Sequence, residues 1–252
     1  MRVSVLASGS KGNSTYIETE GTKSLIDLGM SCAYVEKSLK NIGVNPNEIE
    51  RVFITHAHTD HIGGLRVFLK KHPVTVYLTE KMLKEIDFEI ENVCFIDGDL
   101  QINDLLVTPI KTSHDTADSN GYLLSSSGKS LVYITDTGYI NMKNYHKLKN
   151  KSMYILESNH DVTMLMEGKY PYHLKQRILG DKGHLSNKDS AYYLSQFVSD
   201  NTKYIVLAHL SEDNNTPEVA RETLYKTFEK NGKKLPQVIV AKQKESTELI
   251  EV

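Results

Sequence analysis

Six consecutive residues, His56-Ala57-His58-Thr59-Asp60-His61, carry the densest chemistry in this chain. Four of them are potential metal ligands. Imidazole nitrogen suits zinc, manganese or iron, and a carboxylate adds a hard oxygen donor. Chance rarely crowds an H-x-H-x-D-H pattern into so few residues. A tight turn at a strand end can aim several of these side chains into one cleft. Arg51–Thr55 (RVFIT), short and rich in β-branched and aromatic side chains, predicts that strand. Gly63-Gly64 follow and permit close packing where a helix would begin.

One turn holds two cations only if distant segments complete the two shells. Three candidates stand just past apolar strands: His114 after Leu105–Lys111, Asp136 after Ser130–Thr135 and His209 after Lys203–Ala208. Reactive side chains commonly sit on loops held by a rigid sheet. Each residue alone reads as an ordinary polar loop position. Three of them in the same setting read as a convergent site.

Other residues could handle an anion. Ser8-Gly9-Ser10-Lys11-Gly12-Asn13-Ser14 lies between two strands. Its backbone N–H groups could form an anion nest, with Ser10, Lys11 and Asn13 as contacts. The Gly-Lys-Ser/Thr order of a Walker loop is absent. Lys143, Lys147, Lys149 and Lys151 form one basic run. Lys169, Lys175, Arg177, Lys182 and Lys188 form another, interleaved with Tyr170, Tyr172 and His173. Cations beside rings suit a stacked polynucleotide strand, while a charge run is more often a solvated face. The second run receives more weight because it leads into His184. His160 and His173 join Arg177 and Lys182 as candidate substrate contacts.

The elements that must position these groups are legible in part. The chain has 252 residues, 39% hydrophobic and 25% charged, an ordinary globular composition that excludes disordered and fibrous classes. Further strands are expected at Arg2–Ala7, Thr15–Thr19, Ser24–Asp27, Val74–Leu78, Val93–Ile96, Gly121–Ser125, Met153–Glu157 and Pro236–Ala241. Helices are expected at Ser31–Ile42, Ser186–Val198 and Thr216–Lys230, the last opening Thr-Pro-Glu. Many short strands followed by a strand–helix alternation predict an α/β layered architecture. No Pro/Ser linker or repeat divides it, so residues 1–252 read as one domain.

A formal charge of −2 gives no bulk sign of a polyanion partner, so any positive surface must be local. Two distant cysteines, Cys32 and Cys94, disfavour a disulfide scaffold and suit a reducing cytosol. No apolar run reaches the length of a membrane span, and no membrane association is expected. The opening MRVSVLASGSKGNS reads as a strand and loop rather than a signal peptide.

HAHTDH with His114, Asp136 and His209 at strand ends resembles the metallo-β-lactamase superfamily. The resemblance implies an αββα sandwich of two mixed β-sheets flanked by helices, built from two related halves. Carried over by position, His56, His58 and His114 would hold one divalent metal ion. Asp60, His61 and His209 would hold the second, Asp136 would bridge, and Asp27 in SLIDLG would support the metal turn from behind. Lactamases of the best-known class carry Cys where Asp136 stands, which disfavours lactam hydrolysis. Gly183-His184-Leu185-Ser186 resembles the Gly-His-Ser-Thr element of tRNA-processing phosphodiesterases, with Leu185 and Ser186 departing from it. That element places His184 near a scissile phosphate.

LASGSKGNS, ITHAHTDHIGG, ITDTG, ESNHD, YPYHLKQRILGDKGHLSN and AHLSEDNNTPE together resemble the YycJ (WalJ) family. The resemblance implies a cytoplasmic 5′→3′ exodeoxyribonuclease linked to DNA repair, acting on DNA through water activated between two metal ions. Asp60 and His184 would be catalytic, and replication or repair proteins would be partners. The donor set leaves zinc, manganese and iron open. The shared ligands leave open a hydrolase of a small thioester, lactone or cyclic nucleotide, and an RNase. The oligomeric state is not legible.

Overall fold

Short β-branched runs punctuated by Gly and Asn become strands. The computed structural model describes residues 1–252 and gathers them into two seven-stranded sheets. In the first sheet β1 (Arg2–Ala7), β2 (Ser14–Glu18) and β3 (Lys23–Ile26) form an antiparallel meander. β4 (Arg51–Phe53), β5 (Thr75–Leu78) and β6 (Val93–Phe95) extend it in parallel. The second sheet starts with antiparallel β7 (Leu100–Ile102), β8 (Leu105–Lys111), β9 (Asn120–Ser126) and β10 (Lys129–Ile134). Parallel β11 (Met153–Glu157), β12 (Tyr204–Ala208) and β13 (Gln237–Val240) complete it. β14 (Ile250–Glu251) returns to pair antiparallel with β1. Each sheet therefore reads as an edge strand, a meander of three and three parallel strands. The edge strands are exchanged between the halves: β7 follows β6 in sequence but joins the second sheet, and β14 follows β13 but joins the first.

Nine helices accompany the sheets: α1 (Cys32–Asn41), α2 (Thr59–Ile62), α3 (Leu65–Leu69), α4 (Glu80–Glu85), α5 (Tyr145–Leu148), α6 (Val162–Glu167), α7 (Tyr172–Leu179), α8 (Asn187–Phe197) and α9 (Pro217–Lys230). The expected α1, α8 and α9 are capped by Ser31, Ser186 and Thr216, whose side chains accept backbone N–H bonds in the first turn. Of the short helices α2 to α7, only one beginning after Gly63-Gly64 was expected, where α3 stands. Helices of one or two turns carry too few periodic positions to stand out from loops.

Period-two alternation places the layers. Val3, Val5, Ile17, Phe53, Val107, Tyr122, Leu131, Tyr133, Ile155 and Val206 meet between the sheets. Their strand neighbours Leu6, Tyr16, Val52 and Val76 face outward onto Val35, Leu39 and Phe68 of α1 and α3. Val132, Tyr154, Ile205 and Leu207 likewise meet Leu194, Phe197, Leu224 and Phe228 of α8 and α9. The parallel strands are thus apolar on both faces, as a covered sheet requires. The architecture is the expected αββα sandwich. No helix is long and apolar enough to cross a membrane.

Candidate metal centre

The site residues stand at the ends of strands from both sheets. β4 runs into Thr55, and the metal turn follows with α2 starting inside it. Gly29 lets the turn close: a Cβ there would sit 1.7 Å from the Asp60 carbonyl oxygen. Asp27 follows β3, Asp136 follows β10 and His209 follows β12. All three have positive φ, at 60°, 54° and 54°. Asp, Asn and His visit this left-handed region more readily than other side chains do, and such strain gathers at functional sites. Asp27 and Asp136 are equivalent by position, each ending the third meander strand of its sheet.

Ligand atoms of His56, His58 and His114 lie within 4.8 Å of one another, and those of Asp60, His61 and His209 form a second such group. Asp136 lies between the groups. Its Oδ2 is 3.1 Å from His61 Nε2, and its Oδ1 is 3.4 Å from His209 Nδ1 and 3.9 Å from His114 Nε2. Asp60 Oδ2 is 3.5 Å from His61 Nε2 and 3.6 Å from His209 Nε2. The structure thus brings together all seven predicted ligands.

Asp27 is fully buried behind the turn. It accepts His61 Nδ1–H at 2.7 Å, the Thr55 N–H at 2.8 Å and the Thr55 hydroxyl at 2.9 Å. Fixing the proton on Nδ1 leaves His61 Nε2 facing the cluster. Glu157, which the sequence reading did not single out, does the same on the other side. Its Oε1 accepts from His184 Nδ1 at 2.7 Å and His209 Nδ1 at 3.1 Å. Its Oε2 accepts the N–H groups of Thr137 and Leu185. The available signal was a carboxylate ending an apolar strand, the cue already used for Asp136.

Three atoms test whether cations fit. His56 Nε2, Asp136 Oδ2 and His209 Nε2 are buried in the cluster without a hydrogen-bond partner. A buried polar atom without a partner costs about 1–3 kcal/mol, so such atoms need an ion or ligand. The donors are imidazole and carboxylate, without sulfur, which fits divalent first-row metals. Metal-free, the cluster balances its own charge. Burial disfavours the Asp136 and Asp60 carboxylates, yet neighbouring imidazoles hold both well below the usual range. Burial pushes His209 down, but Asp136, Asp60 and Glu157 raise it to about 10. A cation entering here displaces those protons.

His184 sits beside this set, its Nδ1 3.5 Å from Asp136 Oδ1. Burial pushes its pKa down, but Glu157 and Asp136 raise it overall. Asp115, also not singled out, lies 3.4 Å from His114 Nε2 and holds Arg177 through Nε at 2.6 Å and a second nitrogen.

Several expected substrate contacts lie elsewhere. Asn13 is wholly buried, and its Oδ1 accepts the Gly9 N–H while its Nδ2 rests 3.1 Å from His61 Nε2. It braces the metal turn and has no surface for a substrate. The nest fares similarly. The Gly9, Gly12 and Asn13 N–H groups bond within the protein, and Lys11 pairs with Glu212 at 2.5 Å. Ser10 is exposed beside it. His160 is 1% exposed, so it too is internal. His173 and Lys182 are exposed with no contact to the cluster. A separate trio, Cys32, Glu36 and His72, gathers three donors, but His72 and Lys71 already hold Glu36.

The sequence model of the Metallo-beta-lactamase superfamily matches residues 7–86. An exodeoxyribonuclease YycJ of Bacillus anthracis is 38% identical over 239 residues, covering 92% of this chain and 90% of its own. An exodeoxyribonuclease WalJ of Streptococcus pneumoniae is 36% identical over 232 residues, covering 88% and 86%. Among solved structures, the metallo-β-lactamase fold protein YhfI of Bacillus subtilis superposes with a TM-score of 0.74 over 98% of both chains at 16% identity. Human tRNase Z, short form, gives 0.67 over the whole of both chains at 15% identity. These two establish the fold. The identity and coverage of the bacterial relatives go further: this chain belongs to the YycJ/WalJ family of the metallo-β-lactamase superfamily and is a metal-dependent hydrolase.

Proposed function

We propose that the chain is a cytoplasmic 5′→3′ exodeoxyribonuclease that works in DNA repair or replication-linked processing, alongside proteins of those pathways. The observation that carries the reading is the pair of donor groups joined through Asp136, with His184 beside them. The relatives named as exodeoxyribonucleases support DNA as the substrate.

His56, His58 and His114 would hold one divalent ion, Asp60, His61 and His209 the other, and Asp136 would touch both. Zinc and manganese both suit this set, and iron is compatible with it. Such a pair supplies a water of lowered pKa and neutralises phosphate oxygens as charge develops. The chain's own residues do the rest. Asp27 and Glu157 fix the imidazoles from behind, so the donors are set before substrate arrives. Asp60 orients the attacking water. With Nδ1 bonded to Glu157, His184 has only Nε2 free to give a proton to the departing 3′ oxygen. His173 and Lys182 would contact the DNA backbone, as would Ser10 and Lys11, exposed on the loop before β2. Arg177 would reach a phosphate once released from Asp115. Ligands come from both sheets, so residues 1–252 act as one domain.

The test is purified protein with manganese or zinc, offered DNA and RNA strands blocked at either end. Degradation of 3′-blocked DNA but not 5′-blocked DNA is expected. Faster turnover of RNA, or of a small thioester, lactone or cyclic nucleotide alone, refutes the reading. In His184→Ala turnover falls by about 10²–10⁴-fold with both metals retained, the usual worth of a general acid. Metal loss by elemental analysis would make His184 a ligand instead.

A further inference from the structure

We propose that the connection from β10 to β11, residues 139–151, is the track that leads a single DNA strand to the metal centre, with Tyr139 stacking a nucleobase and Lys143 binding the neighbouring phosphate. This rests on the nuclease reading and specifies where its substrate lies.

Charge is the first observation. Residues 137–156 contain no Asp or Glu, yet they carry Lys143, Lys147, Lys149 and Lys151 in a chain whose formal charge is −2. Lys143, Lys147 and Lys149 are exposed, and no carboxylate lies within 4.0 Å of any of them. Lys11, Lys71, Lys111 and Lys226 are by contrast paired, with Glu212, Glu36, Asp118 and Glu222. The other basic run is engaged at Lys175 and Arg177, while Lys169, Lys182 and Lys188 are exposed and outside any ion pair. Lys175 is buried, giving its protons to the Met166 and Gly168 carbonyls at 2.6 and 2.8 Å, and Arg177 is held by Asp115. Unpaired cations in one strip attract a polyanion because its phosphates replace only water and counterions there.

Shape is the second. A cavity of about 340 Å³ opens on this strip, walled by Thr112, Ser113, Tyr139, Asn141 and Lys143. That volume lies within the roughly 300–1,000 Å³ range of small-ligand pockets, enough for one nucleotide unit. Ser113 immediately precedes His114, and Tyr139 is three residues past Asp136, so both walls of the cavity continue in the chain into candidate metal ligands. The walls are tied to each other. Ser113 N–H donates to Thr137 Oγ1 at 3.0 Å, Gly138 N–H donates to the Ser113 carbonyl at 2.9 Å, and the Thr137 hydroxyl donates to the Tyr139 carbonyl at 2.7 Å. Tyr139 is thus an exposed ring on a fixed mount, and Asn141 fixes the turn at Lys143 through a 3.0 Å bond to its N–H. A ring face beside a phosphate-binding cation is the pairing that single strands use without sequence preference.

Metal-loaded wild type, Tyr139→Ala, Tyr139→Phe and the triple variant Lys143→Ala/Lys147→Ala/Lys149→Ala are assayed on single-stranded DNA over a range of salt. A second triple variant, Lys226→Ala/Lys230→Ala/Lys234→Ala, controls for net charge on another face. Tyr139→Ala raises KM about ten-fold, in the range of one base–aromatic stack, with kcat nearly preserved, and Tyr139→Phe restores it. The lysine triple reduces the slope of log affinity against log salt by about 2, for three lost single-strand phosphate contacts, and the control leaves it unchanged. Unaltered KM and slope in both sets, in a wild type that degrades DNA, overturn this inference and spare the nuclease reading. A wild type that degrades no DNA removes both.

Discussion

Glu157 and Asp27 do the same work at residue scale, each a buried carboxylate that positions imidazoles, though against burial His184 and His209 lower Glu157 to about 2, whereas burial outweighs His61 and raises Asp27. His160 is the opposite case. It is buried, and neither ring nitrogen has a partner. Burial lowers its pKa from 6.5 to about 4, the nearby Glu157 raising it only in part. Between those values the unfolded chain binds the proton and the folded chain does not. Stability from the neutral ring is therefore present above pH 6.5 and is lost as pH falls toward 4. The loss amounts to roughly 3 kcal/mol at about 1.4 kcal/mol per pH unit. Denaturant unfolding of metal-free wild type and His160→Gln across this range checks it. The variant keeps a flatter acid limb, and parallel curves would contradict the assignment.

Elements matter here through their ends. The turn after β4 works because β3 and its following loop lie directly against it. The Leu28 N–H donates to the His61 carbonyl at 2.7 Å, and the Asn13 N–H to the Asp60 carbonyl at 2.7 Å. Gly29 lies where these chains touch, so a methyl group there must push Asp60 away. Gly29→Ala is expected to cost about 1–3 kcal/mol of stability, the usual range for overpacking. It should also weaken the ion held by Asp60 more than the ion held by His58. Calorimetric metal titration showing two unchanged binding steps would count against this reading of the turn.

At the scale of the whole molecule, the exchange of β7 and β14 clasps the two halves, and the metal centre closes over their junction. Ligands from the 56–61 turn belong to the first sheet, and His114, Asp136 and His209 to the second. Cations bound between them should stabilise the folded protein as a whole, by about 2.7 kcal/mol at a metal concentration one hundred times Kd. Chelation should lower the melting temperature, and restored zinc or manganese should raise it with concentration. A melting temperature indifferent to both would place the ions outside this junction.

The sequence by itself determined the layered class, the main strands, the three capped helices and the seven candidate ligands that converge. These are local signals: alternation, caps, and polar residues that interrupt an apolar run at its end. His56 to His61 are legible because their spacing alone is improbable, and His114, Asp136 and His209 because each stops a strand. Tertiary structure alone decided the partners. It made Asn13 and His160 internal, tied Lys11 to Glu212 and Arg177 to Asp115, buried Lys175, and left Lys143, Lys147 and Lys149 free. The physical reason is that burial and ion pairing depend on residues distant in the chain, such as Glu212 for Lys11, and no one-dimensional period encodes which cation will find a carboxylate.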